Sequence, residues 1–351
     1  MSSKYRGWTL LRTQKNTYAY GWGWQKPVPH PPENADFFWA PDFFLENQGA
    51  YFPVSPLKFG NIEEAIEDLF GSSSSRLGFQ FHDLNWAPAS VKDYQQIFDA
   101  LMSEIESARL QKAVPVVIQK APLSGKENQM NWPALLRHLD QLPESLKVFV
   151  FCDGEDWMLG ATPETLITYD GETLETEAIA GTSKDLSSSL LLDPKEREEH
   201  QWVVKDLVQK LSMIGEPQVG TTDEKILPTL KHLRTPLKVR VLDPKSFQLS
   251  EFSRKLHPTP ALGGSPADVA FEWLRRQKNS TQRMRYGAPF GFVTKAGFGH
   301  IVVAIRALQK TKDHWLAAAG AGVVRASVCE KEWAEIQSKQ NSVLKIFEDF
   351  S

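Results

Sequence analysis

The sequence predicts an α+β protein, on three observations. Strands and helices alternate irregularly, neighbouring strands read as antiparallel, and no repeat, low-complexity tract or clean linker divides the 351 residues. A single domain over residues 1–351 is expected. Residues 1–60 are rich in Trp, Phe and Pro and weakly periodic, which suits strands and loops at a sheet edge. Gly71–Ser75 reads as a polar loop. A helix is expected at about 91–111, with Ser90 as cap and Ile97, Phe98, Leu101 and Ile105 along one face. Val114–Gln119 and Lys147–Cys152 read as strands. Glu164–Tyr169 and Thr173–Ala180 form a hairpin around Asp170-Gly171, a strong turn signal. The clearest helix follows: Asp193 caps it, Pro194 takes its first turn, Val204, Leu207, Val208 and Leu211 supply an apolar face, and Gly215 with Pro217 ends it. A further helix is expected at about 266–279. His300–Gln309 reads as one strand, apolar on both faces and so central in a covered sheet. Ser327 and Glu330 form a capping-box pattern for the last helix, whose Trp333, Ile336, Val343 and Phe347 face the core.

Composition excludes several classes. Hydrophobic residues make up 41% and charged residues 24%, as in globular proteins. A net charge of -3 offers no field for nucleic acid or an anionic membrane surface. The most apolar stretch, Trp315–Val324, is too short to cross a bilayer, and the opening MSSKYRGW lacks the apolar centre of a signal peptide. Cys152 and Cys329 have neither metal-ligand nor redox spacing, and no His or Asp pattern accompanies them. A reduced, cytoplasmic setting is the expectation.

Several residues could carry chemistry. Glu196 and Glu199 share one helix face, and so do Glu332 and Glu335. Two such faces either meet around a hard cation such as Mg²⁺, or are solvated helix starts with acidic first turns. Glu199 and His200 sit one turn before the apolar face and point inward. Arg306 lies within the apolar run IVVAIRAL, so its guanidinium needs either an internal carboxylate or a bidentate anionic ligand. Gly320-Ala321-Gly322 is either a tight turn or a place where backbone N–H groups approach an anion. Lys112, at the end of its helix, is either a dipole partner or, inside a cleft, a base. Glu164 follows a Gly-Ala-Thr-Pro turn, and Glu177 precedes Ala178-Ile179-Ala180. Each is either a surface strand residue or a partly buried proton donor.

Nine segments in order, LQKAVPVV, GATPE, TEAIAGT, KEREEH, LHPTPALGG, RMRYGAPFG, VAIRAL, GAGVV and EWAEIQSK, resemble the chorismate-utilising enzymes. That family includes isochorismate, salicylate, anthranilate and aminodeoxychorismate synthases. The resemblance spans residues 95–347 and leaves 1–90 as a variable part. It implies the anthranilate synthase component I-like fold, two mixed or antiparallel sheets packed as a sandwich with helices outside. It implies chorismate as substrate and Mg²⁺ as cofactor, held by Glu199 and Glu335 with Glu196 and Glu332 in the outer shell. Further matches are Arg306 and Tyr286 to the enolpyruvyl carboxylate, and Gly320, Ala321, Gly322 and Lys339 to the ring-carboxylate end. Gly181 and Thr182 match a main-chain substrate contact, and His257 a histidine close to the ring. Glu164 matches the general acid beside the C4 hydroxyl.

Two positions choose among family members. Water-using members carry a lysine where Lys112 stands, as the base, and ammonia-using anthranilate synthases carry glutamine. Aminodeoxychorismate synthases have a nucleophilic lysine where this chain has Ala180. The pair implies isochorismate synthesis by water attack at ring carbon C2, acting as a monomer with no obligatory amidotransferase partner. Salicylate synthase, an ammonia-using synthase and a degenerate binding module are the rivals. Departures from the family pattern are Val116-Val117 in place of an arginine, Tyr286-Gly287-Ala288 in place of Tyr-Ala-Gly, and a missing acidic residue near Val328.

Overall fold

A computed structural model describes residues 7–24, 26–47, 49–71, 78–183, 185–226 and 230–350. Apart from Gly71, the polar loop expected at Gly71–Ser75 lies outside the described residues. Seven α-helices are described: α1 (Ile62–Phe70), α2 (Val91–Glu106), α3 (Trp132–Asp140), α4 (Pro194–Leu211), α5 (Leu249–Leu256), α6 (Ala267–Arg275) and α7 (Cys329–Glu348). The strands form two large sheets and one small one, and the ladders are antiparallel.

The eight-stranded sheet runs Leu57–Gly60, Thr17–Trp22, Gly7–Gln14, Lys147–Asp153, Asp156–Thr162, Ala307–Lys310, His314–Gly320, Val116–Pro122. The other runs Pro217–Val219, Lys231–Arg240, Thr173–Ser183, Thr165–Tyr169, Gly299–Val303, Pro289–Val293, Phe37–Trp39, Tyr51–Pro53, and Asp223–Ile226 pairs off this path with Lys231–Arg240. Side chains alternate across each strand, so each sheet presents two apolar faces. The inner faces meet in a layer that includes Leu11, Phe38, Phe149, Phe151, Phe290 and Phe292. Burying each such ring is worth about 2 kcal/mol, so this layer fixes the spacing of the sheets. The outer face of the first sheet is covered by α1, α3 and α7, and that of the second by α4 and α5, while α6 packs on the small sheet. The expected sandwich with helices outside is the observed fold.

Four expectations need correction. Residues 1–60 are not merely an edge: Gly7–Gln14 pairs on both sides, with Thr17–Trp22 and Lys147–Asp153. Its alternation is masked because both faces are buried, with Trp8 and Leu10 outward and Leu11 inward. Helix α2 stops at Glu106, because Ala108 adopts a φ of 60° and the N–H groups of Arg109 and Leu110 both bond to the Glu104 carbonyl. Lys112 is therefore in the small sheet, on strand Lys112–Ala113 between Gly264–Ser265 and Val323–Val324, and not at a helix terminus. The run His300–Gln309 is two strands in two different sheets, joined by Ala304-Ile305-Arg306. Arg306, at φ 54°, sits at that crossover rather than mid-strand. Finally, α7 starts at Cys329 after Val328 without a side-chain cap, and the Ser327 hydroxyl instead accepts from the Val324 N–H.

Candidate active site

The N-terminus of α4 begins the site. Asp193 accepts from the N–H groups of Lys195 and Glu196, and Pro194 occupies the first turn. The buried stripe of this helix runs Glu196, Glu199, His200, Val203, Leu207 and Leu211, so the two glutamates continue the core-facing side. Val203, rather than Val204 or Val208, is the buried valine. Across from it, α7 buries Glu332, Ile336, Gln340, Val343 and Phe347. Its Gln340 amide donates to the carbonyls of Val117 and Ala317, which seats the helix on the first sheet. Glu196 and Glu199 therefore lie close to Glu332 across the two helices, while Glu335 stands outside that contact.

A third group joins them. Lys195 Nζ lies 2.9 Å from Glu196 Oε1, 3.0 Å from Glu332 Oε1 and 3.6 Å from Glu199 Oε2. Those carboxylates hold the ammonium well above the usual lysine range, against the pull of burial. Glu199 Oε1 pairs with Lys112 Nζ at 3.0 Å. Although burial works against ionisation, Lys112 and Lys195 keep Glu199 well below the usual carboxylate range. Glu335 instead pairs with Lys339 at 2.6 Å. As arranged, no group of three or more metal-ligating side chains among the described residues is set to hold a metal ion. The chemistry of the donors nevertheless suits Mg²⁺: hard carboxylate oxygens converge from two helices on one cationic atom, and the Lys195 ammonium is a stand-in cation.

Two glycines let the backbone approach this cluster. A Cβ at Gly322 would lie 2.0 Å from Glu199 Oε1 and 2.8 Å from Lys112 Cε. Gly181 has φ 76° at an irregularity in the pairing with Lys231–Arg240, and this turns the next N–H, that of Thr182, onto Glu196 Oε2 at 2.7 Å.

Beside the cluster lies a cavity. Of the residues singled out from sequence, Glu164, Ala180, Gly181, Thr182, Glu199, Tyr286, Arg306, Gly320, Gly322 and Lys339 line it. Ala321, Glu335 and Lys112 do not, but Lys112 backs the wall through its ion pair with Glu199. Lys112 is 0% exposed, and burial pushes its amine down from the ordinary lysine value while Glu199 opposes. Glu164 is 5% exposed, and burial, followed by the charge of Glu177, pushes its carboxyl up to about 8. It therefore holds a proton at neutral pH. Arg306 donates from Nη1 to Ser342 Oγ at 2.5 Å, and among the described residues no carboxylate forms a salt bridge with it. Of its two possible partners, the internal carboxylate is missing. Lys339 also donates to the Gly320 carbonyl at 2.9 Å, tying α7 to the glycine turn.

Two expected residues are elsewhere. Glu177 precedes the wall residue Ile179 by two positions, so it lies one pleat down the same strand face, where Lys225 holds it at 2.6 Å; it lines a separate opening with Lys147 and His300. His257 ends α5 with Nε2 2.7 Å from the Phe43 carbonyl and its ring edge-on to Phe43, so it braces the chain before wall residues Ala261 and Leu262 without reaching the cavity. The histidine that does line the cavity is His232, which sequence reasoning missed. Its Nδ1 meets the Gly181 carbonyl at 3.1 Å and Thr182 Oγ1 at 3.0 Å. Burial, with Lys339 and Arg306 nearby, lowers its pKa to about 3, so it is neutral. Nothing in LKHLRTP signalled it. Lys195 was also overlooked, though its place between Pro194 and Glu196 put it in the same first turn.

A proton-holding carboxyl and a guanidinium without a carboxylate line one cavity, and a buried amine backs its wall. The chain belongs to the chorismate-binding enzyme family, whose profile, described as Chorismate binding enzyme, matches residues 62–348. It is 30% identical to the salicylate biosynthesis isochorismate synthase of Pseudomonas aeruginosa over 262 residues, 70% of this chain and 53% of that protein. It is likewise 30% identical to isochorismate synthase EntC of Escherichia coli over 229 residues, 61% of this chain and 56% of that protein. The chain thus covers little more than half the length of these curated relatives. The structure of MenF, the menaquinone-specific isochorismate synthase from Escherichia coli, matches 99% of this chain and 90% of its own at a TM-score of 0.78 and 20% identity, a likeness of fold.

Proposed function

We propose that the chain converts chorismate to isochorismate. The observation that carries this is the fully buried Lys112 set behind a cavity whose wall includes a protonated Glu164. The relatives that are isochorismate synthases, and Ala180 where a covalent mechanism needs a lysine, support the same reading.

In this reading Arg306 grips the enolpyruvyl carboxylate, helped by the Tyr286 phenol, because a guanidinium offers paired donors to a carboxylate. Lys339 and the backbone at Gly320–Gly322 receive the ring-carboxylate end. Lys112, which backs the cavity wall behind Glu199, turns past that carboxylate to take a proton from a water that forms a bond to ring carbon C2. The ring double bonds shift, and Glu164 gives its proton to the C4 hydroxyl, which departs as water. One water enters and one leaves, so the product is an isomer. Loss of the Glu199 contact lowers the Lys112 pKa further, the direction a base requires. Glu199 and Glu335 would hold Mg²⁺, with Glu196 and Glu332 behind them. Bound there, the ion would supply fixed positive charge for a substrate carboxylate. Neutral His232 fixes Gly181 and Thr182, which present main-chain groups to the ring.

Product analysis after mixing purified protein, chorismate and MgCl₂, with and without an ammonium salt, tests the proposal. Isochorismate in both mixtures is expected. An aminated product formed only with ammonium would overturn it, and fluorescent salicylate would add a pyruvate elimination that the reading does not contain.

A further inference from the structure

We infer that Lys195 is a built-in counter-ion that closes the acidic cluster in the metal-free protein and must withdraw before a divalent cation can enter. This rests on the reading that the cluster takes Mg²⁺, and it adds a residue to which no role has been given.

The geometry gives Lys195 a position, an exit and a reason. Its position is the point on which Glu196, Glu199 and Glu332 converge, at 2.9 to 3.6 Å. Glu199 belongs both to this cluster and to the pair proposed to hold Mg²⁺, so an ion about 2.1 Å from its oxygens would share a carboxylate with the ammonium, and like charges at that range repel strongly. The exit follows from accessibility. The Lys195 side chain is 18% exposed on a flexible four-carbon stem, whereas Lys112 is sealed at 0% and Lys339 is anchored to the Gly320 carbonyl. The reason is charge. Without a cation, Glu196, Glu199 and Glu332 are mutually repelling carboxylates in a site shielded from water, and buried charges of one sign are costly. When Lys195 leaves, Glu196 stays in place, because its second oxygen accepts from the Thr182 N–H at 2.7 Å. The arrangement also discriminates between ions. A monovalent cation gains nothing over the tethered ammonium it must replace, while a divalent one does, so Lys195 keeps the cluster closed to potassium and sodium.

Binding of Mn²⁺, a hard cation with a similar ligand preference, followed by electron paramagnetic resonance on wild type and Lys195→Gln, tests the inference without a rate measurement. The variant is expected to bind Mn²⁺ about tenfold more tightly or better, from removal of a competing charge at contact distance. Potassium should compete with Mn²⁺ in the variant but not in wild type. In parallel, acetic anhydride labelling of the wild-type protein, read by peptide mass spectrometry, should rise at Lys195 when Mn²⁺ is added. This second arm decides the matter should Lys195→Gln not fold. Wild-type binding with no tightening in the variant, or labelling at Lys195 that does not rise, overturns the inference alone. No Mn²⁺ binding to either protein overturns the metal reading together with it.

Discussion

Replacing Glu164 by glutamine should make the protein more stable at neutral pH while removing its activity. Burial, then the charge of Glu177, pushes the Glu164 carboxyl from 4.5 to about 8, with Lys225, Lys112 and Lys339 pulling the other way. Below about pH 4.5 the group is protonated in both folded and unfolded chains, and its stabilising contribution is fully present. Between that pH and about 8 the unfolded chain releases the proton while the folded one keeps it. Stability therefore falls by about 1.4 kcal/mol per pH unit and levels off above pH 8. Over the whole window this is on the order of 5 kcal/mol, and the side chain is buried enough that solvent screening takes little from it. Glutamine fills the same space and has no proton to lose. Urea unfolding of both proteins should give a stability difference that widens in favour of Glu164→Gln by about 3 kcal/mol between pH 5 and pH 7.5. Turnover of chorismate should drop by about 10²- to 10⁴-fold in the variant, and in the wild type should decline above about pH 8 as the donor ionises. A stability difference that stays flat across this range would refute the buried, proton-holding carboxyl and the acid role built on it.

Other substitutions probe the remaining groups. Lys112→Ala should lower isochorismate formation by about 10²- to 10⁴-fold, and unchanged activity would remove the base assignment. Glu335→Gln should raise the Mg²⁺ concentration needed for half-maximal rate; an identical metal titration would count against the ligand assignment. Gly322→Ala places a methyl where Glu199 and Lys112 meet, so it should cost about 1 to 3 kcal/mol in urea unfolding and most of the activity. Arg306→Lys should raise KM for chorismate more than it lowers kcat, because one ammonium replaces a two-pronged donor, and an unaltered KM would place the substrate carboxylate elsewhere.

Much of this was legible in the sequence because it rests on local rules. The Asp193-Pro194 helix start, the Asp170-Gly171 hairpin and the i, i+3 glutamates each depend on neighbours along the chain, and the structure keeps all three. Errors arose where tertiary packing conceals the local signal. His300–Gln309 reads as one apolar strand because the strands on either side of the crossover are buried on both faces, so Arg306 alone marks the change of sheet. Lys112 looked helical because a terminating residue at positive φ is usually glycine, and here it is Ala108. His257 and Glu177 were singled out by motif and by apolar neighbours, yet which pleat or loop meets the cavity is decided by strand pairings far away in sequence. His232 and Lys195 were missed for a related reason. One is paired opposite Thr182 across a ladder, and the other owes its role to Glu332 on another helix.

The crossover at Ala304–Arg306 makes the guanidinium a seam between two sheets rather than a fixture of one. Its reach is therefore calibrated by the thickness of the phenylalanine stratum that holds the sheets apart. If Arg306 grips the substrate as proposed, trimming Phe149 or Phe290, remote in function from any proton, would tilt that grip, and substrate affinity would be partly a property of the interior upholstery.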